Sequence, residues 1–266
     1  MAEGFITRKG GGGGVEPTAL GPGTQSLIAG DLQAGFFGQV SQADFGITMT
    51  QVMSDLGISE GTAQFTDDGL LKFIHRGKIK YINRRPIRHS ILWDTIQARL
   101  VANGGNVYGG VTMTFGGNSY KVRLMRGWGQ VSANANETGT PNYETGPLYT
   151  ISFDFGTRGN SGVNWPTNTS GWSANNPNEW NTLIFPIHTD SSTQTQTSDV
   201  PNWASYSNSD LQVASGNGRG TWAQETRNTI TSHRVLRGSF ALAAVYNYFS
   251  GGTFSSFGLR LVFELI

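Results

Sequence analysis

The chain has 266 residues, a formal net charge of +1 and only 14% charged residues, against about 25% in ordinary soluble domains. It contains no cysteine, which excludes disulfides and thiolate metal sites, and no apolar run approaches the roughly 18 residues that a membrane span needs. The first ten residues lack the apolar core of a secretory signal, so we expect synthesis in the cytoplasm and, for work outside the cell, release by lysis.

The charges are unevenly distributed along the chain. Residues 1–68 carry eight acidic and two basic side chains, whereas residues 69–93 carry seven basic ones and no acid. Adjacent blocks of opposite charge suggest an acidic arm and a basic docking surface, and the alternative is a solvated hairpin beside a loose tail. The candidate assembly residues are Phe5, Leu27, Arg76, Lys78, Lys80, Arg84, Arg85 and Arg88.

The N-terminal part predicts an arm. Residues 10–14 are five consecutive glycines, which lose too much backbone entropy to order in a helix or strand. Residues 27–40 predict small irregular structure with apolar anchors. We therefore divide the chain into a Gly-rich N-terminal arm and assembly segment, residues 1–68, and a domain, residues 69–266. We expect residues 1 to about 30 to fold only on assembly, across a neighbouring chain.

Two hairpins and a helix follow the arm. Residues 70–91 alternate apolar and basic side chains around Arg76-Gly77 and predict a hairpin and a further strand after Pro86. Ser90 is the predicted cap of a short helix that ends before Asn103. Residues 111–124 predict a second hairpin with its turn at Gly116-Gly117-Asn118.

The second half alternates long polar stretches with short elements. Residues 127–175 are polar but contain three tryptophans, which is typical of long loops held by aromatic side chains. A second helix is predicted from Asn176 as the cap, with Pro177 first in the helix and Glu179 completing a capping box. Residues 258–265 predict one strand with a single buried side. The fold class is α+β with antiparallel sheets, two short helices and long polar loops.

This order of elements, with several local phrases, resembles the C-type lectin-like fold. The phrases RVLRGSF (234–240), GLRLV (258–262) and EW (179–180) are similar to those of the branch that includes formylglycine-generating enzymes and diversified phage ligand-binding proteins. The phrase GNSYKVRLMRG (117–127), the RKGGGG arm and LIAGDLQAGFFG (27–38) resemble a group of phage virion proteins with that fold. The resemblance implies a C-type lectin-like domain behind a Gly-rich arm.

The departures from those families restrict the chemistry. Formylglycine-generating enzymes depend on cysteine, which this chain lacks. Calcium-dependent lectins use loop and strand motifs that residues 176–181 match only in part, and a helix cap explains those residues better. The four histidines, His75, His89, His188 and His233, are not at metal-ligand spacing. We expect no metal, no cofactor and no catalytic activity.

A nucleic-acid site and a membrane contact are also not expected. The basic block at 72–88 has apolar residues at core-like spacing, and the chain as a whole is near neutral.

Asp67 and Asp68 are interpreted as turn residues rather than as a carboxylate pair, because neighbours on an extended chain point apart.

The uncharged segment between the last two scaffold phrases is the candidate contact site. In the resembling proteins it lies on the exposed side of the sheet, and here a Gly251-Gly252 turn interrupts it. The candidate ligand or receptor contacts are Tyr246, Asn247, Tyr248, Phe249 and Phe254. An alternative interpretation places Tyr246 and Phe249 in the core.

These observations favour a non-enzymatic structural component of a bacteriophage virion. It would be associated with the tail or fibre or decorate the capsid, anchored by its arm to other virion proteins and copies of itself. A host-surface receptor or glycan is the expected ligand of its lectin-like surface. The alternative is a glycan-acting enzyme or lectin that uses carboxylates on the same fold, for which two carboxyl groups about 5–10 Å apart are needed.

Overall fold

Two β-sheets organise the chain in the computed structural model, which describes residues 20–127, 150–151, 179–189, 202–227, 232–239, 242 and 245–266. The strands are β1 (Ala29–Gly30), β2 (Ala34–Val40), β3 (Thr62–Ala63), β4 (Leu70–His75), β5 (Lys78–Asn83), β6 (Arg88–His89), β7 (Val111–Phe115), β8 (Asn118–Leu124), β9 (Thr150–Ile151), β10 (Gly220–Arg227), β11 (His233–Arg237), β12 (Val245–Phe249), β13 (Phe257–Leu259) and β14 (Leu261–Leu265).

Sheet A has the strand order β1-β2-β4-β5-β14-β8-β7, and sheet B has the order β12-β11-β10-β13-β6-β3. All pairs in sheet A are antiparallel. In sheet B, β10 pairs with β13 in parallel, and the short β9 also pairs with β10 in parallel. The helices are few and short. The fold is therefore mixed α+β with mostly antiparallel sheets, as the sequence predicted.

The two predicted hairpins are confirmed. Strands β4 and β5 turn at Arg76-Gly77, where both residues have positive φ angles of 54° and 74°. Strands β7 and β8 turn at Gly116-Gly117, with φ angles of 55° and 76°. Two central residues with positive φ give the turn that matches the twist of the flanking strands, which explains the glycines.

Three helices lie within residues 20–127: α1 (Gln42–Phe45), α2 (Met49–Asp55) and α3 (Trp93–Ala102). The sequence predicted α3 but neither of the others, although Ser41 and Thr48 cap them through their side chains. The predicted cap of α3 is wrong. Ser90 lies before the N-terminal end of the helix and does not cap it. The carboxylate of Glu60 accepts hydrogen bonds from the Leu92 N–H and the Thr95 hydroxyl instead.

The second predicted helix takes another form. It is a π-helical turn (Trp180–Ile184) followed by a 3₁₀ turn (Phe185–Ile187), in which Pro186 lies. The last helix, α4 (Asn208–Leu211), has a capping box between Ser207 and Asp210. The proposed cap at Asn176 and Pro177 lies outside the described residues.

The predicted strand 258–265 is two strands in different sheets. β13 lies in sheet B between β10 and β6, and β14 lies in sheet A between β5 and β8. Arg260 joins them and is completely buried, with its Nη2 donating to the Leu211 carbonyl. The expectation of one buried side is therefore wrong, because Val262 on the other side of β14 is also completely buried.

Both faces of the middle of sheet A are covered. One face, with Ile79, Tyr81 and Phe263, packs in a hydrophobic cluster with the three N-terminal helices. The other face, with Phe73 and Val262, packs in a second cluster with the side chains of the π-helical turn.

The boundary predicted after residue 68 falls inside this packing. Strand β2 pairs with β4 on the other side of the boundary, and Phe45 and Met49 are buried in the first cluster. Residues 20–68 are thus part of the sheets and core of the domain, and residues 1–19 lie outside the described residues.

Residues 20–28, which we name the strap, cross the end of sheet A. The Tyr81 hydroxyl donates to the Pro22 carbonyl at 2.9 Å, and the Lys72 ammonium donates to the Thr24 carbonyl at 2.7 Å. Leu20 and Leu27 pack against the first cluster. The expectation that residues up to about 30 fold only on assembly is wrong for the strap and β1, because they pack on their own chain.

Candidate contact surface

Two phenylalanines are exposed at one edge of sheet B. Phe249 ends β12, the first strand of that sheet, and its side chain is 49% exposed, while Phe254 in the following loop is 44% exposed. Burial of apolar area is the main driving force of association, so a pair of exposed rings is a candidate contact surface. We name Tyr248, Phe249 and Phe254 the aromatic edge.

The rings are braced from beneath. The Phe254 ring lies 4.9 Å from the Tyr248 ring and 5.0 Å from the Phe257 ring, measured between centroids. Phe257 in turn lies edge-on to the buried Trp222 at 5.1 Å. A continuous stack of aromatic side chains therefore connects the exposed Phe254 to the core. Such an anchored ring loses little conformational entropy when it contacts a partner.

The aromatic rings of Tyr248 and Phe249 leave room only for glycine at positions 251 and 252. A Cβ atom at Gly251 would lie 2.7 Å from the Phe249 ring, and one at Gly252 would lie 2.8 Å from the Tyr248 ring. Both distances are too short for real contacts, so a larger residue at either position would displace a ring. The predicted turn is confirmed, since Gly252 N–H donates to the Phe249 carbonyl at 2.9 Å.

Ionisable side chains border the aromatic edge. The Ser250 hydroxyl donates to the Asp94 carboxylate at 2.8 Å, and the His233 ring is nearly parallel to the Tyr248 ring at 6.5 Å. The Arg234 guanidinium lies 4.1 Å from the centre of the Trp93 ring, and burial lowers its pKa. An apolar centre with a polar rim is the usual composition of a protein interface.

The structure brings three of the five predicted contact residues together. Phe249 and Phe254 are exposed and Tyr248 is half-buried between them. The alternative that Phe249 belongs to the core is excluded by its exposure. Tyr246 and Asn247 lie on β12, but their side chains are outside the described part.

The predicted basic docking surface is largely used within the chain. Lys78 is exposed and Arg76 partly exposed. Arg84 and Arg85 both bind the Asp68 carboxylate, at 2.5 Å and 2.8 Å. Burial would raise the pKa of Asp68, but the two arginines hold it below its ordinary value. Asp68 is thus more than a turn residue.

Three further assembly candidates have internal contacts. Arg88 donates to the backbone carbonyls of residues 59–61. Leu27, in the strap, is partly buried against the first hydrophobic cluster. Lys80 is wrong as a surface candidate, because strand alternation directs it into the second core layer, where it is 6% exposed. Phe5 lies outside the described residues.

Lys80 belongs to a buried ion cluster with Arg123, Glu179 and Glu264. Glu179 accepts from Lys80 at 2.5 Å, from both Nη atoms of Arg123 at 2.8 and 2.6 Å, and from the Arg126 N–H at 2.9 Å. Glu264 binds the same two cations at 3.1 and 2.9 Å. The carboxylate of Glu179 thus binds the sheet, and the Asn176 N–H, with which the predicted capping box would form, lies outside the described residues.

The ion cluster keeps both carboxylates ionised. Burial alone would raise the pKa of Glu179, but Arg123 and Lys80 hold it well below its ordinary value. Burial would also raise the pKa of Glu264, yet the same two cations lower it to about 2. A glycosidase needs one carboxylic acid with a raised pKa. In this pair both pKa values are lowered instead.

A buried histidine lies on the same face of sheet A. His75 on β4 is 4% exposed, and its Nδ1 has no hydrogen-bond partner in the described structure. Burial lowers its pKa to about 3, and the Lys80 charge adds to the effect. Within the described residues, no group of three or more His, Cys, Asp or Glu side chains has the arrangement of a metal site.

The sequence did not reveal how these groups combine. The periodicity of β5, β8 and β14 allowed Lys80, Arg123 and Glu264 to share a face, but the partner Glu179 comes from a distant segment. No helix in the described ranges is long and apolar enough to cross a membrane. Scans of protein-family models, of characterised proteins and of solved structures find no significant match to this chain.

Proposed function

We propose that the chain is a non-enzymatic structural component of a bacteriophage particle, associated with the tail or fibre or decorating the capsid. Its domain has a C-type lectin-like fold and presents the aromatic edge to a receptor. The observation that carries the proposal is the pair of exposed rings at 249 and 254, of which Phe254 is braced by Tyr248 and Phe257.

The positions of the resembling phrases support the fold. The phrase at 234–240 contains most of β11, and the phrase at 258–262 joins sheet B to sheet A. Their arginines, Arg237 and Arg260, are almost completely buried near the Trp180 ring, at 5.7 and 5.5 Å from its centre. Residues in such positions specify a scaffold, so this likeness concerns architecture and not a reaction.

The composition supports a particle protein. A surface based on amides and hydroxyls depends little on salt, because screening acts on charges. The Gly-rich residues 10–14 suit an arm that other virion proteins or copies of the chain order. The proposed location is the virion, with neither nucleic acid nor a membrane as partner.

The first test is whether the chain sediments with purified particles, at a copy number fixed by quantitative mass spectrometry. The second test replaces the exposed rings with alanine (F249A/F254A) in particles and measures adsorption to host cells. The matched control is V101A, since Val101 is 53% exposed on a helix.

The expected outcome is adsorption at least roughly tenfold slower for F249A/F254A, which corresponds to about 1.4 kcal/mol, with thermal stability close to that of V101A. Tyr248 is left unchanged in this test, because it braces Phe254 and its loss would also destabilise the loop. Unchanged adsorption by a folded double variant would refute the receptor role. Release of reducing sugar from host glycan would support the enzyme alternative.

A further inference from the structure

The strap is recognised through its backbone and its glycines. Side chains of sheet A donate hydrogen bonds to strap carbonyls, namely Lys72 to Thr24 and Tyr81 to Pro22 and Leu20. A Cβ atom at Gly21 would lie 2.5 Å from the Tyr81 hydroxyl, and one at Gly23 would lie 2.5 Å from Val40. Both glycines also have positive φ angles, 63° and 81°. The surface that holds the strap is therefore selective for the Gly-Pro-Gly sequence of this chain.

The strap buries a cation that has no anionic partner among the described residues. Lys72 is completely buried, and its ammonium makes one hydrogen bond, to Thr24, in the described structure. Its other neighbours are the Phe37 and Tyr81 rings, at 4.9 and 5.9 Å. Removing an ammonium group from water is unfavourable unless a charge compensates it. Docking of the strap therefore includes an unfavourable contribution from the buried ammonium.

The strap and β1 form one terminal element that can leave as a unit. β1 is the outermost strand of sheet A and pairs only with β2 among the described strands. The connection is the turn at residues 31–33, in which the Asp31 carboxylate accepts from the Gln33 and Ala34 N–H groups. A short hinge turn beside an edge strand is the arrangement from which domain swapping arises, because an identical element satisfies the same contacts in another copy.

We propose that residues 20–30 are an exchangeable element, which docks on sheet A of a second copy of this chain when copies assemble. This inference rests on the proposed function for its setting, a particle in which copies are adjacent. The occupant is a second copy because the glycine positions and the paired carbonyls match only the segment that this chain itself carries.

Engineered cysteines test the exchange directly, since the natural chain has none. A Cβ atom at Gly23 would lie 3.4 Å from Val40 Cβ, near the mean of about 3.8 Å in disulfides. The double variant G23C/V40C forms a disulfide whether the strap docks on its own chain or on a second copy. A mixture of the single variants G23C and V40C forms a mixed disulfide at this site only when the strap of one copy lies on the other. A mixture of G23C with V101C controls for random collision.

The expected result is a covalent mixed dimer from G23C and V40C, roughly tenfold above the collision control. If the double variant closes within one chain and the mixture gives no more dimer than the control, exchange is refuted. The cysteine of G23C has to adopt a positive φ, which could itself weaken docking of the strap. The molecular size of the wild type and of G23A is therefore also measured as a function of protein concentration. Larger species in the wild type that G23A abolishes support exchange, whereas larger species that G23A leaves unchanged overturn it.

The two proposals fail separately. The same cysteine mixtures are tested in solution and in purified particles. A chain that sediments with particles but gives only internal disulfides keeps its proposed function and loses exchange. A chain that is absent from particles but forms mixed dimers in solution keeps exchange and loses the proposed function.

Discussion

Replacing Glu179 by glutamine should strongly destabilise the protein. The change keeps the shape of the side chain but removes a completely buried charge that accepts four hydrogen bonds, including both Nη atoms of Arg123. Lys80 and Arg123 would then share Glu264 alone. Removing one partner from a buried ion pair costs about 3–5 kcal/mol, because the remaining charge stays desolvated.

The matched control is E264Q. Glu264 binds the same two cations, but its side chain is 17% exposed and water can compensate in part. We expect a loss of about 1–2 kcal/mol for this variant. For a chain of this size, about 3–5 kcal/mol corresponds to a fall in Tm of roughly 6–20 °C for E179Q. Urea denaturation at pH 7 measures both variants.

The pH dependence provides a second measurement. Both carboxylates have folded pKa values below the unfolded value of 4.5, so their stabilisation is complete above that pH and is lost as the pH falls. The stability of E179Q should therefore decline less than that of the wild type between about pH 5 and 3. A loss below about 1 kcal/mol at pH 7, with an unchanged pH profile, would refute the role given to the ion cluster.

Three other substitutions test single groups. The pKa of Lys72 is lowered to about 8 from 10.5, so the unfolded chain binds more protons between these values and wild-type stability rises with pH there; K72M should be more stable at pH 7 by about 1–3 kcal/mol and lack that rise, and a less stable K72M would contradict the unfavourable burial of the ammonium. Because the folded pKa of His75 is about 3, wild-type stability should fall by up to about 1.4 kcal/mol per pH unit as the pH drops below about 6.5. In thermal melts at a series of pH values, the stability of H75L should fall less steeply with pH, and identical slopes for the two proteins would refute this contribution of His75. D68N should lose about 1–3 kcal/mol in urea denaturation, because Arg84 and Arg85 lose their shared acceptor; unaltered stability would show that this pair is solvated.

Local patterns predicted the local elements well. Both glycine-containing hairpin turns and helix α3 were found at their predicted places, because turn geometry and apolar periodicity act within a few residues. Helices α1 and α2 were missed, because each has only one or two turns and its apolar residues match no long period. Ser90 was a reasonable cap by residue type, but Glu60, from an earlier loop, occupies that position.

Charged residues were the main source of error. Lys80 and Glu179 were assigned to a surface and to a helix cap, yet they bind each other in the core. Such a pairing is set by tertiary contact between segments about a hundred positions apart, and no local pattern encodes it. The aromatic edge was predicted better, since an uncharged segment interrupted by two glycines is visible in the sequence. Its bracing by Phe257 was not, because that ring belongs to the adjacent strand.

The placement of β13 and β14 affects when the protein can fold. Residues 257–265 are the last strands along the chain, yet β13 is inserted between β10 and β6 and β14 between β5 and β8. The ribosome synthesises the N-terminal strands first, and each of these two sheets lacks an inner strand until residue 265 has emerged from the exit tunnel. Until then β5 and β8 expose unpaired backbone groups that can associate with other chains. Both sheets can therefore be completed only after these residues have emerged, and a nascent chain stalled before this point is a substrate for chaperones.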